Sequence, residues 1–250
     1  MAVRFRYFRI HCFRCESTWA MKTLGIIGGI GPEATIDYYK LLITMHREQS
    51  PDGDPPSIII NSINMKKAVD LVTANRLGEL AGYFVEEIRT LAKAGADFGL
   101  LAANTPHIVF DEIARESPLP LLSIVEATRD ETRRQGFSRI GLIGTRFTMK
   151  ARFYPEVFAR QNMQIFVPSD ADQNYIHEKY FHELVNGIFL DGTRSELTAI
   201  MHRMQESDGI EAVILGGTEL PLILRDADAG LPFLDTTQIH VRAALEQMKS

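Results

Sequence analysis

The chain has 250 residues, 45 % of them hydrophobic and 24 % charged, enough for a sizeable buried core and too apolar for a disordered chain. Its formal charge is −5, from 27 Lys and Arg against 32 Asp and Glu. That balance excludes nucleic-acid binding as the main task, and no apolar run approaches the roughly 20 residues of a membrane span. Residues 1–20 carry Arg4, Arg6, Arg9 and Arg14 against Glu16 alone, with no apolar periodicity. Met21 then opens a short charged lead into a buried strand. The first twenty residues therefore read as upstream sequence, a non-native or disordered extension. A basic targeting segment and a metal site from His11, Cys12 and Cys15 are the competing readings. One CxxC supplies half a zinc site, so no metal is expected. Both cysteines lie in this segment, and a body without thiols points to the cytoplasm.

From Leu24 the pattern alternates strand and helix. Leu24–Gly28 is a short apolar run ended by glycines, which predicts a buried parallel strand. Gly29 to Pro32 makes a turn, and Pro32 starts a helix whose apolar face is Ala34, Ile36, Tyr39, Leu42 and Ile43. Residues 57–63 form a second strand, and 80–94 a helix with Leu80, Phe84, Ile88 and Leu91 inside. Residues 96–103 form a third strand, which runs into Asn104-Thr105-Pro106-His107.

The plan then restarts. A helix is predicted over 125–134 and a strand over Arg139–Gly144, which leads into Thr145-Arg146-Phe147-Thr148. A helix follows over 196–205, then a strand over 211–215 that ends in Gly216-Gly217-Thr218-Glu219. Residues 24–107 and 139–220 thus look like two copies of one α/β plan. The expectation is two parallel-sheet, three-layer α/β domains related by a pseudo-two-fold axis. We place the first in 21–118 plus 230–250, because the last helix (237–248) can return to it, and the second in 119–229. Ligands of parallel sheets bind beyond the carboxyl ends of the strands, so the facing loops should share one cleft.

Gly29-x-Gly31-x-x-Ala34, with Asp52 or Asp54 about twenty residues on, loosely matches a dinucleotide fingerprint. Pro32 stiffens the loop where phosphate needs free N–H groups, and the acids sit in a Pro/Gly loop. The glycines fit a simple turn or close approach to a small ligand better. Asn104-Thr105 and Thr218-Glu219 close near-continuous apolar strands. Ordinary capping is one reading of them, and a receptor for a carboxylate is the other. His107 reads either as a base or as a packed histidine.

Four motifs, GIIGGIGPEAT, LAANTPH, LIGTRFTM and LGGTEL, resemble the aspartate/glutamate racemase family in the same order, from Met21 to the C-terminus. The resemblance implies an isomerase that needs no cofactor, with its site between two like domains. It also implies a small carboxylate or acidic amino acid as ligand, and a homodimer. Ile30, Gly31, Asn104, Thr105, Thr145, Thr148, Thr218 and Glu219 would then bind substrate. Family members carry one cysteine before the Asn-Thr and another before the Thr-Glu, so that a thiol faces each side of Cα. Here those positions are Ala103 and Gly217. Either His107, Glu219 and Thr105 replace the thiols, or the chain is a carboxylate-binding pseudoenzyme. The missing side chains should also leave extra room at the reaction centre.

Overall fold

The computed structural model describes residues 21–51, 53–225 and 230–250; His11, Cys12, Cys15 and Asp52 lie outside them. Among the described residues the strands form two four-stranded parallel sheets. The first has the order β2 (Ile58–Ser62), β1 (Leu24–Gly28), β3 (Phe98–Leu101), β4 (Leu121–Leu122). The second repeats it with β6 (Gln164–Phe166), β5 (Arg139–Gly144), β7 (Ala212–Gly216), β8 (Phe233–Asp235). The central strands β1, β3 and β7 are buried along their whole length, because helices cover both faces of each sheet. The expected two-half α/β architecture is the one observed. No helix among the described residues is long and apolar enough to cross a membrane.

The helices are α1 (Pro32–Gln49), α2 (Met65–Thr73), α3 (Leu77–Lys93), α4 (Phe110–Glu116) and α5 (Ile124–Gln135) in the first part of the chain. Then come α6 (Arg146–Lys150), α7 (Phe153–Ala159), α8 (Asp170–His182), α9 (Asp191–Asp208), α10 (Leu220–Ile223) and α11 (Thr236–Met248). The inner face of α1 differs from the expected one. Ala34, Tyr38, Leu42 and His46 are buried, whereas Ile36 and Tyr39 are each 48 % exposed. The face is set by packing against α11: Tyr38 and Leu42 join one core with Val241, Ala244 and Leu245, and the Tyr38 hydroxyl lies 2.9 Å from His240 Nδ1.

The division of the chain at 118/119 and 229/230 needs correction. Leu121–Leu122 pairs with β3 in the first sheet, and Phe233–Asp235 pairs with β7 in the second. Each sheet gains its last strand just before the chain crosses to the other half. After β4, α5 packs Ile124 and Val125 into the core of the second sheet. After β8, α11 sends Val241, Ala244, Leu245 and Met248 into the core of the first.

The strand ends that face the cleft are held by glycines. A β-carbon on Gly144 would stand 2.5 Å from the Gly216 carbonyl oxygen, a backbone atom that cannot move aside. Gly144→Ala should therefore destabilise the protein by about 1–3 kcal/mol. Gly82→Ala, at an exposed position in α3 with open space around it, should do the opposite by about 0.5–1 kcal/mol. Urea unfolding of the two variants tests this, and equal shifts would contradict the close approach.

Candidate active site

The loops after β1, β3, β5 and β7 converge on a cavity of about 50 Å³ between the two halves. Ile30, Ala103, Asn104, Thr105, Thr145, Gly217 and Thr218 all line it. Each stands at or just beyond the carboxyl end of its strand, where a parallel sheet places ligands. The space is far below the roughly 300 Å³ at which small-molecule pockets begin, so a ligand would have to displace side chains of its wall.

Three hydroxyls join the halves, two at the floor of the cavity and one behind it. Thr105 Oγ1 lies 3.0 Å from Thr145 Oγ1 and 3.4 Å from Thr148 Oγ1, and Thr145 and Thr148 are 3.1 Å apart. Thr145 also caps α6, accepting from the Thr148 N–H at 3.2 Å. Thr148 stands behind Thr145, fully buried and outside the cavity wall. Asn104 clamps the halves together. Its Nδ2 donates to Thr236 Oγ1 at 3.1 Å, and its Oδ1 accepts from Tyr154 at 2.6 Å. The Thr236 hydroxyl donates in turn to the Leu215 carbonyl at 2.8 Å. Both ends of the Asn104 amide are thus taken by protein.

The space opposite Ala103 is not empty. A β-carbon on Gly217 would collide with the Tyr180 ring, and the Tyr180 hydroxyl lies 3.0 Å from that point. Tyr180 comes from α8, is 6 % exposed, and donates a short hydrogen bond to Glu219 Oε2. Glu219 Oε2 also accepts from Thr218 Oγ1 at 3.0 Å. Its other oxygen, Oε1, has no hydrogen-bond partner and faces the α-carbon of Gly31, where any side chain would strike it. Gly31 has φ +103°, so both its conformation and its contact with Glu219 require glycine. The glycine turn after β1 therefore accommodates the chain's own carboxylate. Burial raises the pKa of Glu219, and burial, then the Glu219 charge, hold the Tyr180 phenol well above its ordinary value.

The extra room expected at Ala103 and Gly217 is corrected by this arrangement, because Tyr180 fills the second position. Gly31, Thr148 and Glu219 sit behind the wall and not in it. His107 is not brought to the cavity at all. Its ring stacks on Phe110 with centroids 4.7 Å apart, and Nε2 accepts from the Ile124 N–H at 3.3 Å. Burial lowers its pKa to about 3, so it is a neutral packing histidine at physiological pH. Tyr180 is the residue that sequence reasoning missed. It is the sole titratable side chain in the cavity wall among the described residues. Its signal was faint: Ile176 and Tyr180 share an inner face, but Tyr175 and Phe181 spread aromatic surface around α8. Among the described residues no group of three His, Cys, Asp or Glu side chains is gathered as a metal site requires.

Two like parallel-sheet halves, with a cavity between their facing strand ends that combines threonine hydroxyls with apolar side chains, define a class of two-domain α/β protein. The chain belongs to the Asp/Glu/hydantoin racemase family, whose model matches residues 27–244. An aspartate racemase homologue from Pyrococcus horikoshii has a crystal structure 34 % identical to this chain. The match covers 92 % of this chain and 100 % of that one, with a TM-score of 0.79. A Yersinia pestis protein proposed to be an Asp/Glu racemase is 31 % identical over the same shares, with a TM-score of 0.83. The broad-specificity amino-acid racemase RacX of Bacillus subtilis is 23 % identical over 223 residues, which cover 86 % of this chain and 92 % of RacX.

Two predictions follow from the packing. Gly217→Ala should cost about 1–3 kcal/mol, and much less in a Tyr180→Ala background, because the two side chains compete for one space. Additive effects in urea unfolding would contradict the contact. The second concerns pH. Burial lowers the pKa of His107 to about 3 and that of His240 to about 4, against about 6.5 in the unfolded chain. The unfolded state takes up these protons first. Their contribution to stability is therefore complete above about pH 6.5 and is lost as the pH falls toward 4 and then 3, by up to about 1.4 kcal/mol per pH unit for each histidine. The raised pKa values of Glu219 and Asp235 act in the opposite sense, so the comparison with a variant carries the test. Between pH 6.5 and 5, His107→Asn should lose stability less steeply than the parent, by about one proton's worth. Parallel curves would refute a neutral buried His107.

Proposed function

We propose that this protein racemises a small amino acid without a cofactor, holding the α-carboxylate on the Thr105 and Thr145 hydroxyls, with Thr148 behind them. Tyr180, backed by Glu219, serves as the proton-transfer group of the second half. One observation carries the reading: the phenol of Tyr180 occupies the place of a side chain at Gly217 and bonds to a buried carboxylate. The membership of the chain in a racemase family supports the reaction class, and the names of its relatives suggest aspartate, glutamate and other amino acids as the first substrates to try.

Racemisation breaks the Cα–H bond on one face and remakes it on the other. The Tyr180 oxygen takes the Cα proton while the phenolic proton passes to Glu219 Oε2. The raised pKa of Glu219 makes it a stronger base for that step. On the opposite face Ala103 offers no proton, and the hydroxyl at hand is that of Thr105, which would give its proton to Cα and, being partly exposed, regain one from water. The reverse reaction exchanges these roles. Ala103 also motivates a second reading, in which the protein binds an amino acid and does not turn it over.

Incubation with single enantiomers in D₂O separates the two. Racemisation should appear together with deuterium at Cα, and Tyr180→Phe should lower the rate by about 10²–10⁴-fold. Thermal stabilisation by the amino acid without any exchange would establish the binding reading. Neither exchange nor stabilisation across the amino acids would defeat both.

A further inference from the structure

The wall of the cavity away from the strand ends is built from one kind of surface. Helix α2 presents Met65, Val69 and Val72, α3 adds Phe84, and the second half contributes Phe181 and Val185. Met65 and Val69 stand four apart, with Val72 three further on, so they share a face of α2. No Lys or Arg lines the cavity among the described residues. The cations on helices α2, α6 and α8 have other partners. Lys66 pairs with Asp70 at 2.6 Å, Lys67 lies 4.0 Å over the Tyr83 ring, Lys179 pairs with Glu183, and Arg146 bonds Asn174 at 3.0 Å.

The threonine hydroxyls can satisfy one carboxylate. A second carboxylate, on a ligand side chain, would have to lie against Val69, Phe84 and Phe181 with no donor or cation to meet it, and an unpaired buried charge is strongly disfavoured. A hydrocarbon side chain in the same place gains by leaving water. We infer that the ligand is an α-amino acid with an uncharged, apolar side chain, whose tail lies on the α2–α3 wall between Met65 and Phe181. This inference rests on the reading that an amino acid binds between the halves, and it specifies which chemical class of side chain that amino acid carries.

Met65, Val69, Phe147, Phe181 and Val185 are each partly exposed, so the apolar wall reaches the surface and gives the tail its route in. Admission then requires Phe181 or its neighbours to move, because the cavity of about 50 Å³ is too small for the ligand.

The test uses the full chain and a fixed panel: D- and L-leucine, methionine and phenylalanine against D- and L-aspartate and glutamate, read by thermal shift and by saturation-transfer NMR. One or more apolar members should bind about tenfold or more tightly than any acidic member. Val69→Lys, whose stem can lie along the wall with its ammonium at the mouth, should narrow or reverse that preference. Tighter binding of aspartate or glutamate by the parent protein would overturn the inference and leave the proposed function standing. Binding by no member of the panel would defeat the proposed function, and the inference with it.

Discussion

A carboxylate removed from water must find donors, and Glu219 finds them almost wholly within its own half. Tyr180 reaches it from α8 and Thr218 from the preceding position, both on Oε2. Oε1 is left against the α-carbon of Gly31, across the boundary between the halves. Much of the site follows from satisfying this one group. Tyr180 is drawn over the position of residue 217, so that residue must be glycine. The turn after β1 approaches the carboxylate, so residue 31 must be glycine as well. A single buried carboxylate thus explains two glycines, one in each half of the chain, that otherwise look like generic turn residues.

The second constraint is the amide of Asn104. It ties the end of β3 to Tyr154 on α7 and to Thr236 at the start of α11, which is itself bonded to the end of β7. All of these groups are buried, where a lost partner leaves an unsatisfied polar atom. The clamp fixes the spacing of the facing strand ends, and the threonine hydroxyls beside it inherit that spacing. Their geometry belongs to the whole molecule, not to one loop.

The repeated plan was legible in the sequence because its signals were local: LGIIG and RIGLIG are apolar runs stopped by glycine, and the helix 77–93 carries a clean buried stripe. The polar strand ends were legible too, since Asn104, Thr105, Thr145 and Thr218 interrupt otherwise buried runs. Short strands were not. Leu121–Leu122 and Phe233–Asp235 are two and three residues long and become strands only by pairing with a neighbour already in place. The roles of Tyr180 and His107 were equally hidden. A tyrosine on a weakly amphipathic helix and a histidine after a strand look alike in one dimension, and only packing shows that the first enters the cavity while the second stacks on Phe110 and faces away.

The crossings after β4 and β8 have a topological side. Each half surrenders a helix to the other: α5 leaves the first sheet for the second, and α11 leaves the second for the first. At the far end the Lys22 N–H donates to the Met248 carbonyl at 2.9 Å, beside the start of β1. Followed through that contact, the backbone closes into a ring of two equivalent arcs, each entering the other's territory once. On such a ring residues 136–138, between α5 and β5, and the junction beside Lys22 and Met248, between α11 and β1, occupy corresponding places. A circular permutant opened in the first and joined across the second would keep every strand pairing and both exchanged helices.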